Sequence, residues 1–145
     1  MISLEKAKAL KVAGLLWEYT QSDCFYYNYP YKDNAGFTHT YRYPGNKFVY
    51  SGKWGSGFSG EDAEEAIRKI VQQHIFAPRL SQLLTEIEKR GWNADSVTLK
   101  DGGYGCDIYW LSATVQTIYK TFAGESREDA VADALIWIKR KGAGK

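Results

Sequence analysis

The sequence predicts an α+β protein of two tandem α-β-β-β-α units, each an antiparallel meander sheet packed against its helices. Three observations carry this reading. Apolar residues recur at helical spacing in four segments, aromatic residues alternate between them, and an ungapped shift of 67 residues aligns turn and helix-start residues of the two halves. The 145 residues (16.4 kDa) are the usual size of one domain, so residues 1–145 are expected to form a single domain with repeat units 1–76 and 77–145.

From Ser3 to about Tyr19, Leu4, Ala7, Leu10, Ala13 and Trp17 mark a first helix packed on one side, with Val12, Leu15 and Leu16 widening its stripe. Beyond Asp23 the period becomes two. Phe25, Tyr27, Tyr29 and Tyr31 share one face, then Phe37, His39, Tyr41 and Tyr43, then Phe48, Tyr50 and Trp54. Asn34-Ala35-Gly36 and Pro44-Gly45-Asn46 supply turns, so the three strands are expected as a short meander. Ser59 caps a second helix, about Glu61 to Ile75, with acids in its first turn.

Pro78 opens a third helix whose Leu80, Leu83, Leu84 and Ile87 face inward, closed by Arg90 and Gly91. Val97–Lys100, Cys106–Leu111 and Val115–Phe122 read as three further strands, divided at Gly102-Gly103 and Ser112-Ala113. Ser126 caps a final helix carrying Ala130, Ala134, Trp137 and Ile138, and Lys139, Arg140 and Lys141 suit its negative end. The two sets of inward residues, on the third and final helices, are expected in separate layers. The 67-residue shift pairs Gly36 with Gly103, Lys53 with Lys120, Gly57 with Gly124, Ser59 with Ser126, and Glu61-Asp62-Ala63 with Glu128-Asp129-Ala130. Duplication produces such a match; so do two unrelated sheet-to-helix corners that need the same turn and cap chemistry.

Composition narrows the function classes. Nineteen basic against 17 acidic residues, a formal charge of +2, is too small to imply nucleic acid, membrane or an acidic substrate by itself. The Met1-Ile-Ser-Leu-Glu-Lys-Ala-Lys start meets charge too early for a signal peptide, and no run approaches the roughly 20 apolar residues of a membrane span. A cytoplasmic protein is therefore expected, with Cys24 and Cys106 as free thiols rather than a disulfide framework.

Gly55-Ser-Gly57-Phe-Ser-Gly60 matches the form G-x-G-x-x-G, but a dinucleotide loop needs a parallel strand after its helix, where Pro78–Arg90 reads as another helix. Glu61 and Asp62 would also put carboxylates where a pyrophosphate sits. Cys24 and His39 with Asp23, Asp33 or Asp107 could compose a thiol-imidazole-carboxylate set, yet no neighbouring sequence has nucleophile-elbow form. Cys24, His39, His74 and Cys106 lack zinc-site spacing. No catalytic residue, metal or cofactor is expected.

The feature furthest from average is the aromatic density from Phe25 to Phe58, interleaved with Lys32, Arg42, Lys47 and Lys53. Tyr27, Tyr29, Tyr31, His39, Tyr41, Arg42, Tyr43, Lys47, Tyr50, Lys53 and Trp54 are the candidate binding residues. Tyrosine and tryptophan concentrate at protein interfaces, which is the favoured reading; aromatic platforms with nearby cations also bind single-stranded nucleic acid, which is the alternative. A meander cannot hide both faces under the helices, so part of this sheet is expected to be solvated or to pair with a second copy as a homodimer. The α-β-β-β-α order is shared with double-stranded RNA-binding domains, but Glu61, Asp62, Glu64 and Glu65 stand where those domains carry lysines.

Glu88-Lys-Arg-Gly91-Trp92, the glycine-broken strands around Gly102-Gly-Tyr-Gly105, and Glu128-Asp-Ala-Val-Ala-Asp-Ala-Leu135 carry a resemblance. Leu83 to Trp137 resembles the small phage and prophage proteins of the phage ABA sandwich domain family. The resemblance covers under half the chain and implies a mobile-element origin, a layered α+β fold and no catalytic residues. It also implies stoichiometric binding to a host protein complex, as in inhibition of a CRISPR-type defence effector.

Overall fold

The computed structural model describes residues 1–17, 19, 22–33, 35–40, 46–49, 63–110 and 119–143. The described chain is α+β. It runs α1 (Leu4–Val12), β1 (Cys24–Tyr26), β2 (Tyr31–Lys32), β3 (Thr38–His39), β4 (Lys47–Val49), α2 (Ala63–Gln73), β5 (Ile75–Ala77), α3 (Leu80–Lys89), β6 (Trp92–Thr98), β7 (Tyr104–Trp110), β8 (Lys120–Gly124) and α4 (Arg127–Ala143). These elements fall into two units, one of Met1–Leu15 with Pro78–Lys145 and one of Leu16–Ala77, so the division differs from the expected 1–76 and 77–145.

The first unit is organised by α4. Ala130, Val131, Ala132, Ala134, Leu135, Ile136 and Ile138 are all buried, so this helix is apolar almost all round and cannot be satisfied by a sheet on one side. The antiparallel sheet β6-β7-β8 covers one side, α3 brings Leu83 and Ile87 to another, and α1 packs along it as well. Leu83 and Ile87 therefore share a core with Ala130 and Ala134 instead of lying in a separate layer.

Recruitment of α1 follows from the same constraint. Ile2, Ala7 and Leu10 are buried, and full burial of side chains such as Ile2 and Leu10 contributes roughly 1.5–3 kcal/mol each. The polar contacts set the register: the Ser3 amide donates to Asp129 Oδ1 at 2.7 Å, Lys6 pairs with Asp133 at 2.7 Å, and the terminal ammonium lies 3.2 Å from Glu128. Both ion pairs are partly solvated, where such pairs contribute about 0–1 kcal/mol, so apolar burial dominates. The helix is shorter than its sequence stripe. It ends at Gly14 (φ +76°), leaving Leu16 90% exposed and Trp17 in the other unit.

β6 starts at Trp92 rather than Val97, because its polar residues have partners across the ladder. Asn93 Nδ2 donates to the Tyr109 hydroxyl (3.1 Å), which donates to Asp95 Oδ2 (3.0 Å). On β8, Thr121 donates to Asp107 at 2.7 Å. At the end of α3, burial pushes the Glu86 carboxyl up, but hydrogen bonds from Arg90 (2.8 Å) and Lys89 (3.2 Å) outweigh it and hold the carboxyl below its ordinary value. Gly124 lies where β8 turns into α4: a Cβ there would stand 2.6 Å from the Ala130 backbone nitrogen.

The second unit has a different topology. Its main sheet is β4-β1-β5, antiparallel throughout, with β1 central; β2 and β3 form a separate two-stranded ladder. The expected meander is thus replaced, for two reasons. Pro30, which follows a cis peptide bond, has no N–H to give a ladder and separates β1 from β2. Ile75-Phe76-Ala77, which the sequence reading leaves between the end of the second helix and Pro78, is a wholly buried three-residue strand on the other side of β1, too short for periodicity to reveal. Phe25 is the centre, stacked on Phe48 at 5.6 Å and packed against Phe76 at 5.4 Å, with Ile70, Val71, Trp17 and Tyr19 around it.

The sheet orders of the two units differ, so a shared topology does not underlie the 67-residue correspondence. Gly36, which that shift pairs with Gly103, has φ +87°, whereas at the corresponding turn the positive φ belongs to Gly102 (+88°) and not to Gly103. Lys53, Gly57, Ser59, Glu61 and Asp62 lie outside the described residues. Among the described residues no helix is long and apolar enough to cross a membrane.

Two outcomes are expected. Gly124→Ala forces β8 and α4 apart and lowers stability by about 1–3 kcal/mol, measurable as a shift of the urea midpoint. Cys24 and Cys106 are both free and buried; burial raises both thiols, Cys106 to about 12. Neither therefore reacts with a chromogenic disulfide reagent at pH 8 in the folded protein, and both react in denaturant; rapid native labelling of either would contradict this packing.

Candidate binding site

β1, the bend after it and the β2–β3 hairpin place the tyrosines of 27–31 together; the sequence reads them as one face of a single strand, which the bend at Tyr29-Pro30 replaces. Tyr27 lies 5.8 Å from Tyr29 and 5.5 Å from Tyr31, and Tyr29 lies 5.6 Å from Tyr31. His39 belongs to the same cluster: β2–β3 pairing sets it opposite Tyr31, and the two rings stack at 4.6 Å and 8°. Lys47 is at the exposed start of β4. Tyr41, Arg42, Tyr43, Tyr50, Lys53 and Trp54 lie outside the described residues, as does the Gly55–Gly60 loop.

Three participants are not among the candidate binding residues, although the sequence offers Asp33 beside His39 in a thiol-imidazole-carboxylate set. His74, directly after α2, is buried against Tyr27 (5.4 Å), Tyr31 (4.6 Å) and Phe48 (5.1 Å), each edge to face. The Asn28 amide donates to its Nδ1 at 3.3 Å, so Nδ1 is the acceptor and the ring's proton belongs on Nε2. Phe48 serves both the core and the site, lying 4.7 Å from Tyr27. Burial raises the hydroxyls of Tyr27 and Tyr31, which keeps both phenols protonated at neutral pH. With near-parallel neighbours in Tyr27 and His39 and His74 edge-on, the Tyr31 ring is already engaged in stacking.

Asp33 is the third. Its amide donates to the Phe37 carbonyl and its carbonyl accepts from Gly36, both at 3.0 Å. Its Oδ1 accepts from the amides of Ala35 (3.0 Å) and Phe37 (2.9 Å), and its Oδ2 from His39 Nε2 (2.9 Å). One aspartate thus closes the hairpin tip from inside, while Gly36 supplies the left-handed residue the turn requires. Phe37 is left projecting at 71% exposure, beside exposed Thr38 and His39. A phenylalanine displayed on a hydrogen-bonded tip has little freedom to lose on binding.

Cys24 is remote from this chemistry in character: its thiol is buried and its ionisation suppressed, so it does not complete a thiol-imidazole-carboxylate set with His39 and Asp33. Among the described residues no group of three His, Cys, Asp or Glu side chains is arranged to hold a metal ion. Comparison with protein-family models, with curated proteins and with solved structures finds no match to the chain.

The hydrogen bond from His39, then those from Phe37 and Ala35, hold the Asp33 carboxyl below its ordinary value. A depressed carboxyl stabilises the hairpin at every pH above its unfolded value near 3.9, and that contribution is lost as pH falls through the lower folded value. An NMR acid titration is expected to give Asp33 a midpoint below that of an unstructured aspartate, with the Phe37 amide losing its protection in the same step. In Asp33→Ala the Phe37 amide exchanges freely at neutral pH.

Proposed function

We propose that this is a small non-enzymatic binding protein that engages a partner protein through the β2–β3 hairpin, with Phe37 as anchor and Tyr29, Tyr31 and His39 as the surrounding platform. The observation that carries the reading is the tip held by Asp33 with Phe37 exposed upon it. Exposed large aromatics on rigid supports are the side chains on which interface energy concentrates. The resemblance to phage ABA sandwich proteins suggests a host protein complex, for example a CRISPR-type defence effector, as the partner class, and the host cytoplasm as the place of action.

Base stacking is less well supported. Exposed Lys32 and Lys47 supply cations nearby, but the Tyr31 ring is committed to its neighbours, and a base would have to displace one of them. A second copy of the chain is a third occupant for the same face.

Affinity capture from host lysate with the wild-type chain and Phe37→Ala, paired with oligonucleotide anisotropy and light scattering, separates these. A stoichiometric protein partner is expected, its affinity reduced about 30-fold or more in Phe37→Ala, equivalent to about 2 kcal/mol at a hot spot. Equal recovery by both proteins would overturn the reading. Oligonucleotide binding that falls steeply with salt would favour nucleic acid. A dimer dissociated by Phe37→Asp would make the partner another copy.

A further inference from the structure

The unit built around α4 carries a second aromatic cluster of a different kind. Trp92 opens β6, Tyr119 immediately precedes β8, and Trp137 lies on α4. Their ring centres form a near-equilateral triangle, 5.3 Å from Trp92 to Tyr119 and 5.7 Å along each other side. The interplanar angles are 65°, 79° and 46°, so the rings stand as walls rather than a stack. At this cage sits an ammonium. Lys141 Nζ lies 4.5 Å from the Tyr119 ring centre, 4.9 Å from Trp137 and 5.4 Å from Trp92, and donates to the Tyr119 hydroxyl at 3.0 Å.

The Trp92 and Trp137 rings attract a cation whatever its source, while Tyr119 meets Lys141 through its hydroxyl, a hydrogen bond open only to an N–H donor. Lys141 is therefore an occupant that reports the chemistry of the site. A primary ammonium is a strongly hydrated occupant, whereas a trimethylammonium group is weakly hydrated and presents its charge through methyl groups that fill such a cage. Trp92 is buried and gives the cage a fixed floor, while Tyr119, half exposed at 50%, leaves one wall open to solvent. The geometry points to a trimethylammonium-binding site at Trp92, Tyr119 and Trp137, with Lys141 as its intrachain competitor. Lys141 is on the last turns of α4, tethered next to the cage at high effective concentration, so a ligand must displace it. This site is independent of the hairpin and requires nothing of it.

The probe is tetramethylammonium, titrated into the 145-residue chain and followed by tryptophan fluorescence and by the indole N–H resonances. Lys141→Ala is expected to bind tetramethylammonium about 10-fold or more tightly than wild type, because the ammonium that meets all three rings is gone, while Lys120 stays over Trp137 alone at 5.2 Å. Neopentyl alcohol, of similar shape without charge, is expected not to bind. Choline and Nε-trimethyllysine, as the two sources of the group, are compared in the same variant, and the tighter identifies the natural class. Tyr119→Ala in the Lys141→Ala background removes an exposed wall and is expected to abolish binding without lowering Tm by more than a few degrees. Equal tetramethylammonium affinity in wild type and a folded Lys141→Ala, or equal binding of neopentyl alcohol, would overturn the assignment.

Discussion

The first unit depends on one constraint: α4 is apolar on nearly every side and has to be enclosed. A sheet can cover one side of a helix, so β6-β7-β8 alone leaves α4 exposed, and two further helices complete the enclosure. The α3 helix follows directly before the sheet in sequence. The α1 helix comes from the other end of the chain, and its arrival explains features that otherwise look unrelated. Ile2 is buried because the terminus is part of the core. Glu128 and Asp129 begin α4, where acids suit the positive end of the helix, and they also receive the terminal ammonium and the Ser3 amide. Gly124 lacks a side chain because β8 and α4 approach too closely there for a Cβ.

The unit of Leu16–Ala77 works with different materials. Its central strands are buried but only three residues long, and ring-to-ring packing takes the place of a long helix: Phe25 is surrounded by Phe48, Phe76 and Tyr19. The same economy produces the candidate site. Phe48 closes the core on one side and meets Tyr27 and His74 on the other, so the platform tyrosines are held by the residue that holds the core. Asp33 then does locally what a larger hydrophobic core would do elsewhere, shaping a hairpin of two-residue strands through side-chain and backbone hydrogen bonds. The proposed interface function suits such a unit, because the rings that stabilise it are of the kind from which protein contacts are built.

Much of this was legible in the sequence. The run from Pro78 to Lys141 reads helix, three strands, helix, because its apolar spacing is long enough to show a period and its ends carry Gly91 and Ser126 as stop and cap signals. The choice of Tyr27, Tyr29, Tyr31 and His39 as one group was likewise legible from alternation, while the bend after β1 that gathers them was not. Asp33, Phe37 and His74 were not, for separate reasons. Asp33 acts through its neighbours' backbone amides, which a composition count does not register. Phe37 fits a strand pattern, and only the turn geometry exposes it. His74 is 47 residues from Tyr27 in sequence and joins it through β1–β5 pairing, which rests on a three-residue run too short to announce itself.

The sequence by itself determined the α+β class, the order of helices and strands in the second half, and the aromatic character of the first, since these follow from local periodicity and from turn and cap chemistry. Tertiary structure alone decided which segments belong together. The N-terminal helix joins α4 because apolar burial rewards the partner with the largest uncovered surface, whatever the distance along the chain. Lys141 meets Trp92 and Tyr119 for a similar reason: antiparallel pairing and helix packing bring three distant elements to one end of the unit. Periodicity records what each segment must bury, and only the assembled packing settles what buries it.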